Sequence, residues 1–272
     1  MPERRGQSPE KRGQSPALSS GVGMRKLLGM ALSLVASSCW TALADAPRIA
    51  DGEEFDYALY VKQGFITVKA GTAHLSVKEK DGAYEASLEL KALSFVDMIY
   101  HLYVRMSTRL TPELKPLRYE KHAEEGRSVY DEVSVFSYPQ EGGCGISSRR
   151  TFSDGKVDVS ETRREGSVFD LLSLIFHARR LDVAGLKPGM RIDVSVISGV
   201  KVRDQSLVYK GVEEIKAHDD RKIKAGVFDL RSEESGGMSA QFVFSQDGSR
   251  IPQRIDISQK LGSLSARLCP AK

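Results

Sequence analysis

The side chains that could carry out chemistry are spread along the chain without a recognisable catalytic or metal-binding spacing. No two histidines lie two or four residues apart, the spacings that place two imidazoles on one face of a strand or a helix. The chain also has no Gly-x-Ser-x-Gly nucleophile motif and no glycine-rich phosphate-binding motif. We therefore predict no metal, no cofactor and no catalytic serine.

Two further groupings of reactive residues are better explained by structure than by catalysis. Asp170 and His177 lie seven residues apart in a predicted helix and so share a face, but a histidine on a helix is more commonly packed or solvated than catalytic. Adjacent carboxylates such as Glu124 and Glu125 point to opposite faces of a strand, which makes them a poor glycosidase pair. The sequence thus predicts a protein that is not an enzyme.

Cysteine usage predicts one disulfide bond. If an export signal is removed after Ala44, only Cys144 and Cys269 remain, and an even pair in an exported protein suggests a bridge. That bridge would close a loop of about 125 residues and stabilise the fold by roughly 4–5 kcal/mol. The alternative is two unrelated small residues. Cys144 has no activating partner in the sequence that would make it a nucleophile.

These residues must be positioned by a fold with one amphipathic helix, predicted from Ser167 to Leu181. One face of this helix carries residues three and four apart, namely Val168, Leu171, Leu172, Ile175, Phe176 and Arg179. Ser167 is the expected N-cap, and Arg180 suits the negative end of the helix dipole.

Most of the remaining chain alternates between apolar and polar residues, as β-strands do. Four acidic–glycine pairs predict tight antiparallel hairpins, at Asp81-Gly82, Glu125-Gly126, Asp154-Gly155 and Asp247-Gly248. The stretch Phe95–Val104 is apolar on both faces, and we interpret it as a helical turn that leads into a central strand. The predicted fold is mainly β: a curved antiparallel sheet or half-barrel closed by the helix at about 167–181.

The aromatic residues of such a fold either fill an ordinary β core or line an apolar cavity beneath the helix. For the second case, the cavity lining is predicted to include Phe169, Leu172, Phe176 and Tyr100.

The first 44 residues have the features of a leader. Residues 1–23 are polar and repeat Arg-Gly-Gln-Ser-Pro, which predicts a disordered or wrongly assigned extension and a true start at Met24. Residues 24–44 carry the basic, apolar and small-residue segments of a secretory signal peptide, with cleavage between Ala44 and Asp45. A lipoprotein signal with lipidation at Cys39 is the alternative. Residues 45–272 are then predicted to form a single β-rich domain.

Export predicts a protein of the periplasm or the extracellular space, or a membrane-tethered lipoprotein if Cys39 is lipidated. The apolar run of the leader has about ten residues where a membrane span needs about 20, so we do not expect an integral membrane protein. Of the chain's 40 Lys and Arg and 36 Asp and Glu, residues 1–44 hold six and two, so residues 45–272 carry 34 of each. This neutral balance argues against a nucleic-acid partner.

Short motifs along residues 50–265 occur in a familiar order. They are Phe55-Asp56-Tyr57, Tyr100-His101-Leu102-Tyr103, Phe169–Arg179 followed by Pro188-Gly189, and the closing stretch Phe244–Pro252. Together they resemble the family called domain of unknown function 3108, although Phe244 stands where the family pattern Trp-x-Ser-x-Asp has Trp. The resemblance implies an exported bacterial protein without an assigned activity. The closing hairpin is also similar to that of periplasmic lipoprotein carriers, whose half-barrels hold acyl chains beneath helices, a likeness of fold only.

These observations predict an exported, non-catalytic protein of the cell envelope that binds an apolar or amphiphilic molecule in a β half-barrel. The sequence also leaves two alternatives open: a glycan-binding or glycan-processing envelope protein, and a structural partner in an envelope assembly. An apolar inner face favours a lipid, whereas tyrosines with paired carboxylates roughly 5–10 Å apart favour a sugar. An exposed apolar patch favours an assembly partner.

Overall fold

The structure is a computed structural model that describes residues 49–217, 221–234, 237–259 and 262–270. The predicted extension 1–23, the signal peptide 24–44, the Ala44–Asp45 cleavage site and Cys39 lie outside the described residues and stay predictions.

The described residues form fifteen strands and two short helices. The first eight strands and the first helix are β1 (Glu53–Gln63), β2 (Ile66–Lys80), β3 (Ala83–Ala92), α1 (Ser94–Asp97), β4 (Leu102–Leu110), β5 (Pro116–Glu125), β6 (Ser128–Ser137), β7 (Cys144–Phe152) and β8 (Val157–Arg164). The remaining elements are β9 (Val168–Phe169), α2 (Leu171–Arg180), β10 (Arg191–Ser198), β11 (Lys201–Lys216), β12 (Lys222–Ser232), β13 (Met238–Ser245), β14 (Pro252–Gln259) and β15 (Gly262–Leu268).

All fifteen strands belong to one sheet, in the order β8-β7-β6-β5-β4-β3-β2-β1-β15-β14-β13-β12-β11-β10-β9. Strands that follow each other along the chain pair antiparallel on both sides of this sheet, and the first and last strands meet through the β1–β15 pair. Among the strands of the described residues, only β9 and β10 pair in parallel. The sheet is nearly closed into a barrel. The predicted mainly β, curved antiparallel sheet with one amphipathic helix is therefore confirmed.

Tight turns join the strands where the acidic–glycine pairs predict them. Asp81 and Gly82 have φ values of 52° and 70°, the left-handed backbone that a two-residue hairpin requires between β2 and β3. The other three predicted hairpins join β5 to β6, β7 to β8 and β13 to β14. The stretch from Phe95 to Val104 also folds as predicted, because α1 leads into β4.

The long helix begins later than the sequence suggests. Ser167 is not its N-cap, because Val168 and Phe169 are extended and pair in parallel with Ser195 and Val196 of β10. The N-cap is Asp170, and the helix ends at Arg180. A short strand pairing of this kind has no signature in local periodicity, whereas the apolar spacing of the helix does.

Helix α2 lies between two apolar clusters of the core. Leu172 and Phe176 pack into the cluster built mainly on β1–β7. Leu174, Ile175 and Ala178 pack into a second cluster built on β10–β13. Because the helix is buried on both sides, it joins the two halves of the sheet instead of covering one face.

The predicted Cys144–Cys269 disulfide is absent from the structure, where both residues are free thiols. Cys144 begins β7 and is buried, whereas Cys269 follows β15, and the strands β1 to β6 lie between them in the sheet. Burial raises the pKa of the Cys144 thiol, which keeps it protonated and unreactive.

Candidate functional site

A buried ion pair holds the C-terminal end of α2 against the first strand. The side chain of Arg179 is 1% exposed, and its guanidinium contacts both carboxylate oxygens of Glu53, which is 16% exposed. The same guanidinium donates to the carbonyl oxygen of Ser249 through Nε (3.0 Å) and Nη2 (2.8 Å). One side chain thus connects α2, β1 and the turn between β13 and β14.

A second buried polar group fixes the N-terminal end of α2. One carboxylate oxygen of Asp170 accepts from the backbone N–H groups of Leu172 (2.9 Å) and Ser173 (3.0 Å), and the Ser173 hydroxyl accepts from the Asp170 N–H. The other carboxylate oxygen accepts from the Thr108 hydroxyl of β4 at 2.9 Å. Burial raises the pKa of Asp170, and these hydrogen bonds oppose that shift.

Between these two anchors, an apolar cleft of about 40 Å³ lies between α2 and the inner face of the sheet. The residues that line it are all apolar or aromatic and come from β1, β2, β3, β14, β15 and α2: Tyr57, Leu59, Ala73, Leu75, Leu88, Leu90, Leu171, Ile175, Ile255, Ile257, Leu264 and Ala266. The Tyr57 hydroxyl donates to the Pro252 carbonyl oxygen at 3.0 Å. The cleft therefore offers van der Waals contact and no acid, base or nucleophile.

The structure divides the four residues predicted to line a cavity among three places, and none of them borders this cleft. Leu172 and Phe176 are buried in the first apolar cluster. Phe169 is buried in the second cluster. Tyr100 is half exposed and lies against Gly126 at the far end of the sheet. The helix turns a different side toward the cleft, so the lining consists of Leu171 and Ile175 instead.

Sequence reasoning missed the strand residues that line the cleft, although a signal was present. Leu88 and Leu90 in β3, and Leu264 and Ala266 in β15, alternate with polar residues and so share one face of each strand. The alternation does not reveal that β1 pairs with β15. This pairing brings strands from the two ends of the described sheet sequence to the same cleft.

Asp170 and His177 do not form an acid–base pair. Asp170 caps the helix, as described above, and the His177 ring stacks on Phe169 with the ring centroids 4.5 Å apart. Burial lowers the pKa of His177, and the Arg180 charge lowers it further. The imidazole is therefore neutral and contributes to the packing of the fold.

A chain of alternating carboxylates and imidazoles lies at the α1 end of the sheet. His101 contacts Asp97 through Nδ1 (2.8 Å) and Glu124 through Nε2 (2.8 Å). His122 contacts Asp131 through Nδ1 (2.8 Å) and Glu124 through Nε2 (3.2 Å). Two spacings in the sequence could have indicated this chain of contacts. Asp97 and His101 are four residues apart, as on one face of a helical turn, and His122 and Glu124 are two residues apart, as on one face of a strand.

These contacts shift the pKa of three members of the chain. The hydrogen bond to Glu124, and then that to Asp97, raises the pKa of His101, while those to Asp131 and then Glu124 raise the pKa of His122. The pKa of Glu124 is lowered, first by His122 and then by His101. The imidazolium contribution to stability is thus complete below the ordinary value of 6.5 and is lost as pH rises through the raised values. The Glu124 contribution is present above 4.5 and is lost as pH falls through its lowered value.

Replacing Glu124 with glutamine is expected to lower the pKa of both histidines, and that of His101 more. The reason is that Glu124 is the largest influence on His101 and only the second largest on His122. NMR titration of the imidazole Cε1 protons measures both values. Glu120→Gln, on the same strand and paired with Arg118, is the control and leaves both unchanged. Equal shifts, or no shift, would contradict the arrangement.

Among the described residues, no group of three or more His, Cys, Asp or Glu is placed to hold a metal ion. Neither helix of the described ranges has the length and apolar character needed to cross a bilayer.

A family model described as "Protein of unknown function (DUF3108)" matches residues 56–268, nearly the whole described sheet. The chain belongs to the DUF3108 family. No curated protein matches it by sequence.

Two solved structures are similar to this DUF3108 protein. The first is a crystal structure of a beta-barrel-like protein of domain of unknown function DUF1849 from Brucella abortus, with a TM-score of 0.55 at 10% identity, covering 82% of this chain and 97% of that one. The second is a DUF1089 family protein from Pseudomonas aeruginosa, with a TM-score of 0.32 at 13% identity, covering 79% and 92%. The first likeness supports the barrel-like fold alone.

The departure of this DUF3108 chain from the family pattern falls in the core. Phe244 is buried in β13 within the second apolar cluster. Its ring meets Phe228 edge to face, with the centroids 6.2 Å apart. Phe244 therefore contributes an aromatic ring to the second apolar cluster of this chain.

Proposed function

We propose that this protein is an exported, non-catalytic protein of the cell envelope that holds an acyl chain, or a similarly apolar part of an envelope amphiphile, between α2 and the inner face of the sheet. The observation that carries the proposal is the cleft, whose lining is entirely apolar or aromatic. The leader-like sequence of residues 24–44 supports the exported location.

The size of the cleft limits how such a chain binds. A volume of about 40 Å³ is far below the roughly 300–1,000 Å³ of sites that enclose a whole small molecule. Leu88, Leu90, Ile257 and Leu264, which line the cleft, are only half buried, so the cleft is open to solvent on this side. The end of the acyl chain would occupy the cleft, and the rest would leave it past these half-buried residues, with the polar head in solvent.

A glycan ligand is less well supported by the same surface. No carboxylate lines the cleft, and its one tyrosine hydroxyl is already bonded to Pro252. A sugar would leave its hydroxyl groups unpaired there, which costs about 1–3 kcal/mol for each buried group.

Native mass spectrometry of the protein isolated from its own envelope tests the proposal. We expect an added mass that is released on denaturation and identified as an amphiphile by lipid analysis. A bare protein mass, together with no binding of a fluorescent fatty acid, would refute it.

Replacing Ala266 with tryptophan is expected to weaken binding of a fluorescent fatty acid at least tenfold. Ala266 lies on the inner face, paired with Leu59 and Ile255, and an indole there fills the cleft. Ser265→Trp is the matched control, because the neighbouring residue of a strand points to the other face. Both affinities are measured by fluorescence titration. Equal affinity of the two variants would show that the ligand, if bound, lies elsewhere.

A further inference from the structure

Two segments at the end of the sheet distant from the Arg179 anchor expose large apolar side chains. The hairpin between β1 and β2 carries Phe65, which is fully exposed, and Ile66, which is 67% exposed. The turn formed by α1 carries Met98 and Ile99, which are 83% and 87% exposed. We call these four residues the apolar tip. Exposed apolar residues grouped at one end of a protein mark an interaction surface.

The two segments are neighbours in the fold. The N–H of Leu93, immediately before α1, donates to the carbonyl oxygen of Ala70 in β2 at 2.8 Å. From this point β2 runs back towards its start at Ile66 and the hairpin turn. At about 3.3 Å per residue, the hairpin projects on the order of 13 Å beyond its contact with α1.

The apolar tip is continuous with the inner face of the sheet. Val61 in β1 pairs with Leu264 of β15 on one side and with Val68 of β2 on the other. Directly paired residues of antiparallel strands project to the same face. Since Leu264 lines the cleft, Val61 and Val68 extend the same apolar surface towards Ile66.

The hairpin of the tip carries only positive charge, whereas beside Met98 the Asp97 carboxylate is paired with His101. No Asp or Glu occurs from residue 57 to residue 78. Lys62 and Lys69 flank the turn and are exposed, and neither has an ion-pair partner within the described residues. Apolar side chains flanked by lysines are the combination that inserts into the interface of an anionic bilayer, with the apolar part about 5–10 Å deep and the lysines at the head groups.

We propose that the apolar tip docks this protein on the surface of a bilayer that contains anionic lipid. The four side chains of the tip lie on two turns and are each at least 67% exposed, which suits a deformable lipid surface, and the carboxylate-free hairpin is complementary to negative head groups. Docking does not depend on the acyl-chain proposal. If both hold, the strip from Ile66 to the cleft is the path along which an acyl chain passes.

Vesicle flotation tests this docking. The protein is purified after expression of the full chain, and its N-terminus is established by mass so that all variants share it. The vesicles are equimolar phosphatidylglycerol and phosphatidylethanolamine, or phosphatidylcholine alone. The wild-type protein is expected to float with the anionic vesicles and to dissociate from them in high salt.

Matched variants assign the binding to the tip. Phe65→Ser with Ile66→Ser is expected to reduce partitioning on the order of tenfold or more, since two large apolar side chains no longer enter the interface. Lys62→Gln with Lys69→Gln is expected to reduce it by a similar factor on anionic vesicles only. The control is Val157→Ser with Val159→Ser, which removes two exposed apolar side chains of β8 and leaves partitioning unchanged.

Each contrary result overturns the proposal. No flotation of the wild-type protein, equal flotation of the tip variant, or equal loss in the β8 control would do so. A dimer in gel filtration that the tip variant abolishes, without vesicle binding, would assign the tip to self-association instead. The fatty-acid titration of the same variants is a separate measurement, so failure of docking and failure of acyl-chain binding are distinguishable.

Discussion

Replacing Glu53 with alanine is expected to lower the free energy of unfolding by about 3–5 kcal/mol, because it leaves the buried Arg179 guanidinium without its carboxylate partner. Arg179 is 1% exposed, so water cannot replace the lost contact without opening the end of the barrel at α2. The Ser249 carbonyl oxygen would remain as an acceptor but carries no full charge. The change in the free energy of unfolding is measured by urea denaturation monitored by far-UV circular dichroism.

Two further variants separate the charge from the loss of side-chain volume. Glu54→Ala removes an exposed carboxylate one residue along the same strand, and we expect a change within about 0.5 kcal/mol. Glu53→Met combined with Arg179→Met removes both charges and is expected to recover much of the stability lost in Glu53→Ala. If Glu53→Ala were no more destabilising than Glu54→Ala, the ion pair would not hold α2 in solution.

Replacing Asp170 with alanine is expected to lower the free energy of unfolding by roughly 2–4 kcal/mol. Loss of an N-cap costs up to about 2 kcal/mol, and a buried donor left without an acceptor costs about 1–3 kcal/mol. Two N–H groups of α2 lose their acceptor in this variant, and the Thr108 hydroxyl keeps only its longer hydrogen bond (3.3 Å) to the Arg118 carbonyl oxygen. The change is measured by the same denaturation experiment.

Asp170→Asn is the conservative comparison for this cap. Asparagine keeps an oxygen that accepts from the helix N–H groups, so we expect a smaller loss than in Asp170→Ala. Asp193→Ala, which removes an exposed carboxylate of β10, is the control and is expected to stay near the wild-type value. Equal losses in Asp170→Asn and Asp170→Ala would show that the cap hydrogen bonds contribute nothing specific.

Asp170 and the Glu53–Arg179 ion pair anchor the two ends of α2, and α2 forms one wall of the cleft. Leu171 and Ile175 project from it towards the sheet, between the Asp170 cap and the Arg179 ion pair. Weakening either anchor is therefore also a way to widen the cleft. A variant that loses stability but gains fatty-acid affinity would link the helix to ligand access.

Local patterns in the sequence determined the turns, the strands and the approximate place of the helix. Acidic–glycine pairs such as Asp81-Gly82 predict hairpins because their backbone conformation is needed in the turn itself. Apolar alternation predicts strands, and three- and four-residue spacing predicts α2, since each pattern reflects which face is buried. The family resemblance followed from short motifs of the same local kind.

Only the tertiary structure decided which distant residues meet. Glu53 and Arg179 are 126 residues apart, and neither carries a local sign of the other. The N-cap of α2 is Asp170 and not the predicted Ser167, because β9 pairs with β10, a strand that follows the helix. The cleft exists because β1 pairs with β15, and the cysteines stay apart because whole strands separate them. Local propensity carries no information on these long-range pairings, whose free energy arises only when the complete sheet assembles.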